Sequence, residues 1–146
     1  MKIAIVYSSV HHENTKRIVD AMAEGHEVTL IDATQEKKYD LTEFDIIGFA
    51  SGIYYSKFHR QISSFARENL PEEKRVFLVY TCGIQKDNYL DEMEEIIQEK
   101  GGNLQGAYCC LGWDTFGPFK LVGGIAKGHP NQEEIDAAKN FFNGII

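Results

Sequence analysis

The chain has 146 residues, 43% of them hydrophobic and 25% charged, the make-up of a globular protein with one sizeable core. Fifteen basic against twenty-two acidic residues give a net charge of −7, which argues against nucleic acid and anionic membranes as partners. With no long apolar run, signal-peptide layout or lipidation motif, the expectation is one cytoplasmic domain over residues 1–146.

The chain opens on a short, nearly continuous apolar run at residues 2–7, rich in β-branched side chains. Such a run predicts a strand buried on both faces of a parallel sheet. It breaks at residues 8–15, after which Ile18, Val19, Met22 and Ala23 share one helical face, and Gly25 ends that helix. A second strand is predicted at residues 27–31, followed by a polar crossover at 32–43 made of a turn of helix and a loop. The third strand falls at residues 45–51, and an amphipathic helix at 57–69 turns Phe58, Ile62, Phe65 and Ala66 inward.

The fourth strand is predicted at residues 75–81. Asp87 then reads as the cap of a helix that buries Leu90, Met93, Ile96 and Ile97 and stops at Gly101 and Gly102. The fifth strand spans residues 105–112, and a glycine-rich loop occupies 113–130. Asn131, with Glu134 three residues on, forms a capping-box start to a last helix burying Ile135, Ala138, Phe142 and Ile145. Strand and helix alternate throughout, so the predicted fold class is α/β: a five-stranded parallel sheet between two layers of helices. Right-handed crossovers favour the strand order 2-1-3-4-5.

In such sheets ligands bind at the carboxyl ends of the strands. The loop after the first strand carries Ser8, Ser9, His11, His12, Glu13, Asn14 and Thr15 and runs into a helix N-terminus. Free N–H groups and the positive end of the helix dipole make this an anion site. Its donors are neutral, which suits a phosphate monoester held permanently on a cofactor; phosphoryl transfer normally calls for a Lys and Mg²⁺. A helix cap without a ligand is the other reading of the same residues. His11 and His12 either donate to the phosphate or fill a surface turn.

Ser51, Gly52, Ile53, Tyr54 and Tyr55 follow the third strand, offering backbone close to a planar ring and aromatic faces to stack on it. Thr81, Cys82 and Gly83 follow the fourth, and Gly83 suits another close backbone approach. Trp113, just past the fifth strand, is a candidate stacking residue or a core lid. Cys82, Cys109 and Cys110 have neither metal nor C-x-x-C spacing, and Cys109-Cys110 reads as a pair of small buried residues. His26 and His129 fall in turns and His59 on a helix surface. No histidine pair has zinc-site spacing, so no metal is expected.

The first loop resembles the phosphate loop of the flavodoxins, roughly S/T-x-T-G-N-T. Ser8-Ser9 matches its beginning and Asn14-Thr15 its end; Glu13 stands where the family has Gly, and the loop is one residue longer. The resemblance extends to element order and to the loops after strands three and four. It implies an FMN-binding electron-transfer protein working between a flavoprotein reductase and an acceptor protein, with the acidic charge steering it to basic partners. The segment at 53–59 also resembles the small FMN-dependent protoporphyrinogen oxidases, so a flavodoxin-fold oxidoreductase is the alternative. Residues 114–119 could then line a substrate pocket, dock a partner or cover the sheet edge. Other users of this fold lack their sites here. A receiver domain needs acidic residues where Tyr7-Ser8 and Ala50-Ser51 stand, and a small phosphatase needs Cys and Arg in the first loop. Neither G-x-G-x-x-G nor G-x-S-x-G occurs. A cofactor-free interaction module is the third reading, if Glu13 spoils the phosphate loop.

Overall fold

The computed structural model describes residues 1–8, 14–84, 86, 88–112 and 128–146. In chain order the elements are β1 (Ile3–Ser8), α1 (Asn14–Ala23), β2 (Val28–Asp32), β3 (Ile46–Tyr54), β4 (Lys57–Phe58) and α2 (Arg60–Asn69). They continue with β5 (Arg75–Cys82), α3 (Asp91–Glu99), β6 (Asn103–Leu111) and α4 (Gln132–Ile145). Five strands run parallel in the order β2-β1-β3-β5-β6, and the two-residue β4 pairs antiparallel with β3. With β4 set aside, this is the order expected from the alternation of elements.

Each central strand is buried on both faces because its alternate residues feed two separate cores. Ala4 and Val6 of β1, Ile47 and Phe49 of β3, and Val76 and Leu78 of β5 join Ile62 and Phe65 of α2 and Met93, Ile96 and Ile97 of α3. On the opposite face Ile3, Ile5, Ala50, Phe77 and Val79 meet Ile18, Val19 and Met22 of α1 and Ala138 and Phe142 of α4. Full burial of each such side chain contributes about 1.5–3 kcal/mol relative to exposure. Gly48 is part of this packing. A Cβ there would come within 2.3–2.8 Å of three ring atoms of the fully buried Phe77, so no larger residue fits without displacing that ring.

Three boundaries differ from the sequence-based expectation by three residues or more. The third strand continues past Ser51 to Tyr54, and the next helix starts at Arg60, not at residue 57. Tyr55 and Ser56 both take positive φ, 52° and 65°, and turn the chain back so that Ile53 pairs with Phe58 and Tyr54 with Lys57. Two consecutive positive φ values are what a type I′ hairpin requires, although neither residue is the Asn or Gly that usually supplies them. Phe58 is buried as expected, but from a strand. The helix α3 begins at Asp91 after a turn, with Leu90 at the N-cap position and no side-chain capping bond; Asp87, expected as its cap, lies outside the described residues. Tyr89 sits in that turn, buried, its hydroxyl donating to Ile84 O at 2.7 Å.

The capping box of α4 is present. Asn131 Oδ1 accepts from Glu134 N at 2.9 Å, and Glu134 Oε1 accepts from Asn131 N at 3.0 Å. Such a cap contributes about 0.5–2 kcal/mol. The same carboxylate does more. Its Oε2 accepts from Leu111 N, at the end of β6, at 3.0 Å, and Oε1 is hydrogen-bonded to His129 Nδ1. Burial alone would push the Glu134 carboxyl up, but the hydrogen bonds from Asn131, His129 and Leu111 outweigh it and hold it below the usual carboxylate range. Among the described residues no helix is long and apolar enough to cross a membrane.

Candidate cofactor site

Polar side chains are scarce in the two cores, and where they occur is informative. Among the described residues the buried polar ones are Ser8, Asn14, Thr15, Ser51, Ser63 and Thr81. All but Ser63 lie at the carboxyl ends of β1, β3 and β5 or in the first turn of α1. Ser8 pairs in register with Ser51, which pairs with Tyr80, and Gly52 pairs with Thr81 one step further on. The sheet therefore ends in a band of hydroxyl groups directly beside a helix N-terminus.

Contacts within this band fix its parts. Thr15 Oγ1 and Thr81 Oγ1 share a hydrogen bond at 3.1 Å, tying the start of α1 to the end of β5. Asn14 lies against Gly112, whose own N–H donates to Cys82 O at 2.9 Å. A Cβ at 112 would meet Asn14 Nδ2 at 2.7 Å and Asn14 Cβ at 3.0 Å, so Gly112 is what lets Asn14 occupy this place. The first turn of α1 carries no acidic side chain. Hydroxyls, an amide and helix N–H groups without a carboxylate in that turn form a donor set for an anion.

Ser51 Oγ donates to Gly52 O at 2.6 Å and accepts from His59 N at 2.8 Å, closing the base of the β3–β4 hairpin. Ser8 Oγ donates to Gln61 Oε1 at 3.3 Å. His59, expected on a helix surface, is instead the N-cap of α2: its Nδ1 accepts from Gln61 N at 3.1 Å. The ring of Tyr54 meets the His59 ring edge-on, centroids 5.0 Å apart, and reaches over Gly52, coming within 3.4 Å of where a Cβ would stand. Tyr55, at the hairpin tip, is 86% exposed. The two tyrosines thus have different surroundings, one folded back on the hairpin and the other projecting from it.

Cys82 is buried at the end of β5, and Gly83 and the 48%-exposed Ile84 follow it at the surface. Ile53 is partly buried against the core on the α2 side. Ser9, His11, His12, Glu13 and Trp113 lie outside the described residues, as do residues 114–119. None of the three cysteines is in a disulfide, and burial pushes the Cys110 thiol up to about 12, the mark of an inert buried thiol. Among the described residues no group of His, Cys, Asp and Glu is arranged to hold a metal ion. Sequence reasoning did not select Gln61, His59 or Gly112. The first two act through a hydrogen-bond network spanning β1, β3 and α2, and Gly112 through a contact with a distant helix, so neither leaves a local signal.

The fold and this band define a class, a doubly wound parallel sheet whose buried neutral polar groups gather at the carboxyl ends of its central strands and the start of its first helix. Residues 4–112 match the family model described as a flavodoxin domain, and the chain belongs to that family. It is 34% identical, over its full length and 99% of the relative, to an uncharacterised protein of Methanocaldococcus jannaschii. Among solved structures it is similar to a flavodoxin from the domain Archaea, with a TM-score of 0.70 and 17% identity over 98% of this chain and 95% of that one. Oxidised flavodoxin 2 from Bacillus cereus is similar to the same degree: TM-score 0.69, 21% identity, 99% of this chain and 97% of that one. A flavodoxin-like fold implies a flavin cofactor.

The Gly112–Asn14 contact can be tested directly. Gly112→Ala should displace Asn14 and weaken phosphate-bearing flavin by about ten- to hundredfold, the effect of losing one hydrogen bond to a charged group. Riboflavin, which has no phosphate, should lose far less. Parallel titrations of parent and variant check this, and an equal loss for both ligands would mean that the change acts elsewhere.

Proposed function

We propose that the protein binds FMN without a covalent link and carries electrons between a flavoprotein reductase and an acceptor protein. The observation that carries this reading is the gathering of buried neutral donors at one end of the sheet. Ser8, Ser9, Asn14 and Thr15 would hold the phosphate with the N-terminal N–H groups of α1, His11 or His12 adding a donor. Ser51, Gly52 and Ile53 on one side, and Thr81, Cys82 and Gly83 on the other, would line the ring. Tyr54, Tyr55 and Trp113 are the aromatic faces available to it. Bound there, FMN supplies reversible one- and two-electron transfer; the chain supplies orientation and field.

That field is negative. A net charge of −7 opposes the arrival of further electrons and draws basic partners into brief, salt-sensitive encounters. The first test is identification of the flavin: the purified protein should be yellow and release FMN on denaturation. Release of FAD or riboflavin, or a colourless protein that takes up no added FMN, would overturn the reading.

A further inference from the structure

The hairpin proposed to face the flavin is held by one titratable ring. His59 accepts the Gln61 N–H through Nδ1, so in this arrangement its proton sits on Nε2 and the ring is neutral. Its backbone N–H is bound by Ser51, and its ring supports Tyr54 edge-on. Gln61, whose N–H the ring accepts, also receives Ser8 Oγ, so the cap is continuous with the end of β1. A protonated imidazole has no lone pair on Nδ1 and would turn an N–H towards the Gln61 N–H.

We propose that His59 is a positioning residue for the cofactor-facing hairpin: only its neutral form caps α2 and braces Tyr54, so protonation of this ring loosens residues 51–59 and weakens flavin binding. The inference rests on the FMN reading above. The basic groups around the ring act in the same sense. Lys37 from the β2–β3 connection and Arg60 from α2 disfavour a third positive charge, and β4 adds the exposed Lys57. Tyr54 contributes a neutral ring, while Glu36 and Glu68 line the cleft of about 170 Å³ that Lys37, Arg60 and Gln61 also line. Burial first, then Lys37 and Arg60, hold the His59 imidazole below its ordinary range. The folded state therefore favours the neutral ring. Its contribution is complete above the ordinary imidazole range and is lost as pH falls through the lowered value.

The test uses the full chain in two arms. In the first, without flavin, ¹⁵N NMR should find Nδ1 unprotonated at neutral pH. On acidification the Gln61 N–H and the Tyr54 ring should shift with the His59 midpoint. In the second arm, FMN and riboflavin are titrated into the parent and into His59→Asn, which keeps a cap but cannot titrate. The parent's affinity for either flavin should fall about fivefold more than the variant's between pH 7.5 and 5, the loss expected from a helix cap. Titration of the FMN phosphate is common to both proteins and absent with riboflavin. A protonated Nδ1 at neutral pH, a Tyr54 ring indifferent to His59, or equal pH dependence in parent and variant would each overturn the proposal. Failure of FMN to bind at any pH would instead overturn the functional reading, and the NMR arm would still decide the role of His59.

Discussion

Titrated with both flavins, the flavin-free protein should bind FMN about 10²–10⁴-fold more tightly than riboflavin. The two ligands differ only in the phosphate, so their ratio isolates the anion site from the ring site. A hydrogen bond to a charged group contributes roughly 1.5–3 kcal/mol, and two such bonds account for the expected ratio. The structure offers at least that many donors close to one another. Thr15 brings a buried hydroxyl at 2% exposure and Asn14 an amide, α1 begins with them and has no carboxylate in its first turn, and Ser8, buried beside them, can give the phosphate its proton in exchange for Gln61. Water competes poorly for donors so enclosed. Fluorescence titration at fixed ionic strength measures both constants, and equal values would remove the phosphate cradle and with it the cofactor assignment.

The second large effect is kinetic. Reduced nicotinamide alone should bleach the bound flavin slowly, and a catalytic amount of a flavoprotein reductase should accelerate the reaction greatly. A self-sufficient reductase has to hold a second bulky anion against the ring, which calls for grouped basic residues. Among the described residues near the hairpin and the loop after β5, Lys57 and Lys86 are exposed, Lys37 and Arg60 share their cleft with Glu36 and Glu68, and the first turn of α3 adds Asp91, Glu92 and Glu94, so acidic groups offset the basic ones. A protein partner needs only access to the flavin edge. Steering of oppositely charged surfaces changes association rates by roughly 10–10³-fold, so the reductase-dependent rate should fall steeply as salt rises. Stopped-flow absorbance decides the matter. Fast, saturable reduction by NADH or NADPH alone would replace the carrier with the oxidoreductase alternative.

The layout of the sheet was legible because its central strands are buried on both faces and therefore read as unbroken apolar runs. The ends of α1 and α3 were legible too, since Gly25 and Gly101 take the positive φ, 80° and 63°, that helix stops favour. The β3–β4 hairpin was not. Phe58 continues the spacing of Ile62, Phe65 and Ala66, so a helical period ran through a residue that is in fact in a strand. Nor does Tyr55-Ser56 carry the glycine or asparagine that marks a two-residue turn. His59 escaped for a similar reason, because caps are normally sought among Ser, Thr, Asp and Asn. At the site, residue types pointed to an anion; that Thr15 meets Thr81 and Asn14 meets Gly112 depends on strand register, which local patterns do not encode.

The carboxylate of Glu134 has a consequence for how this chain can vary. It binds Leu111 at the end of β6 and His129 and Asn131 ahead of α4, so both ends of the connection between those elements are fastened to one side chain. Lengthening or shortening the sequence between the two anchors need not disturb either element, and the entropic cost of a longer closed loop grows only slowly with its length. The end of β6 and the start of α4 therefore keep their places beside one another through one side chain, whatever the length of the sequence that joins them.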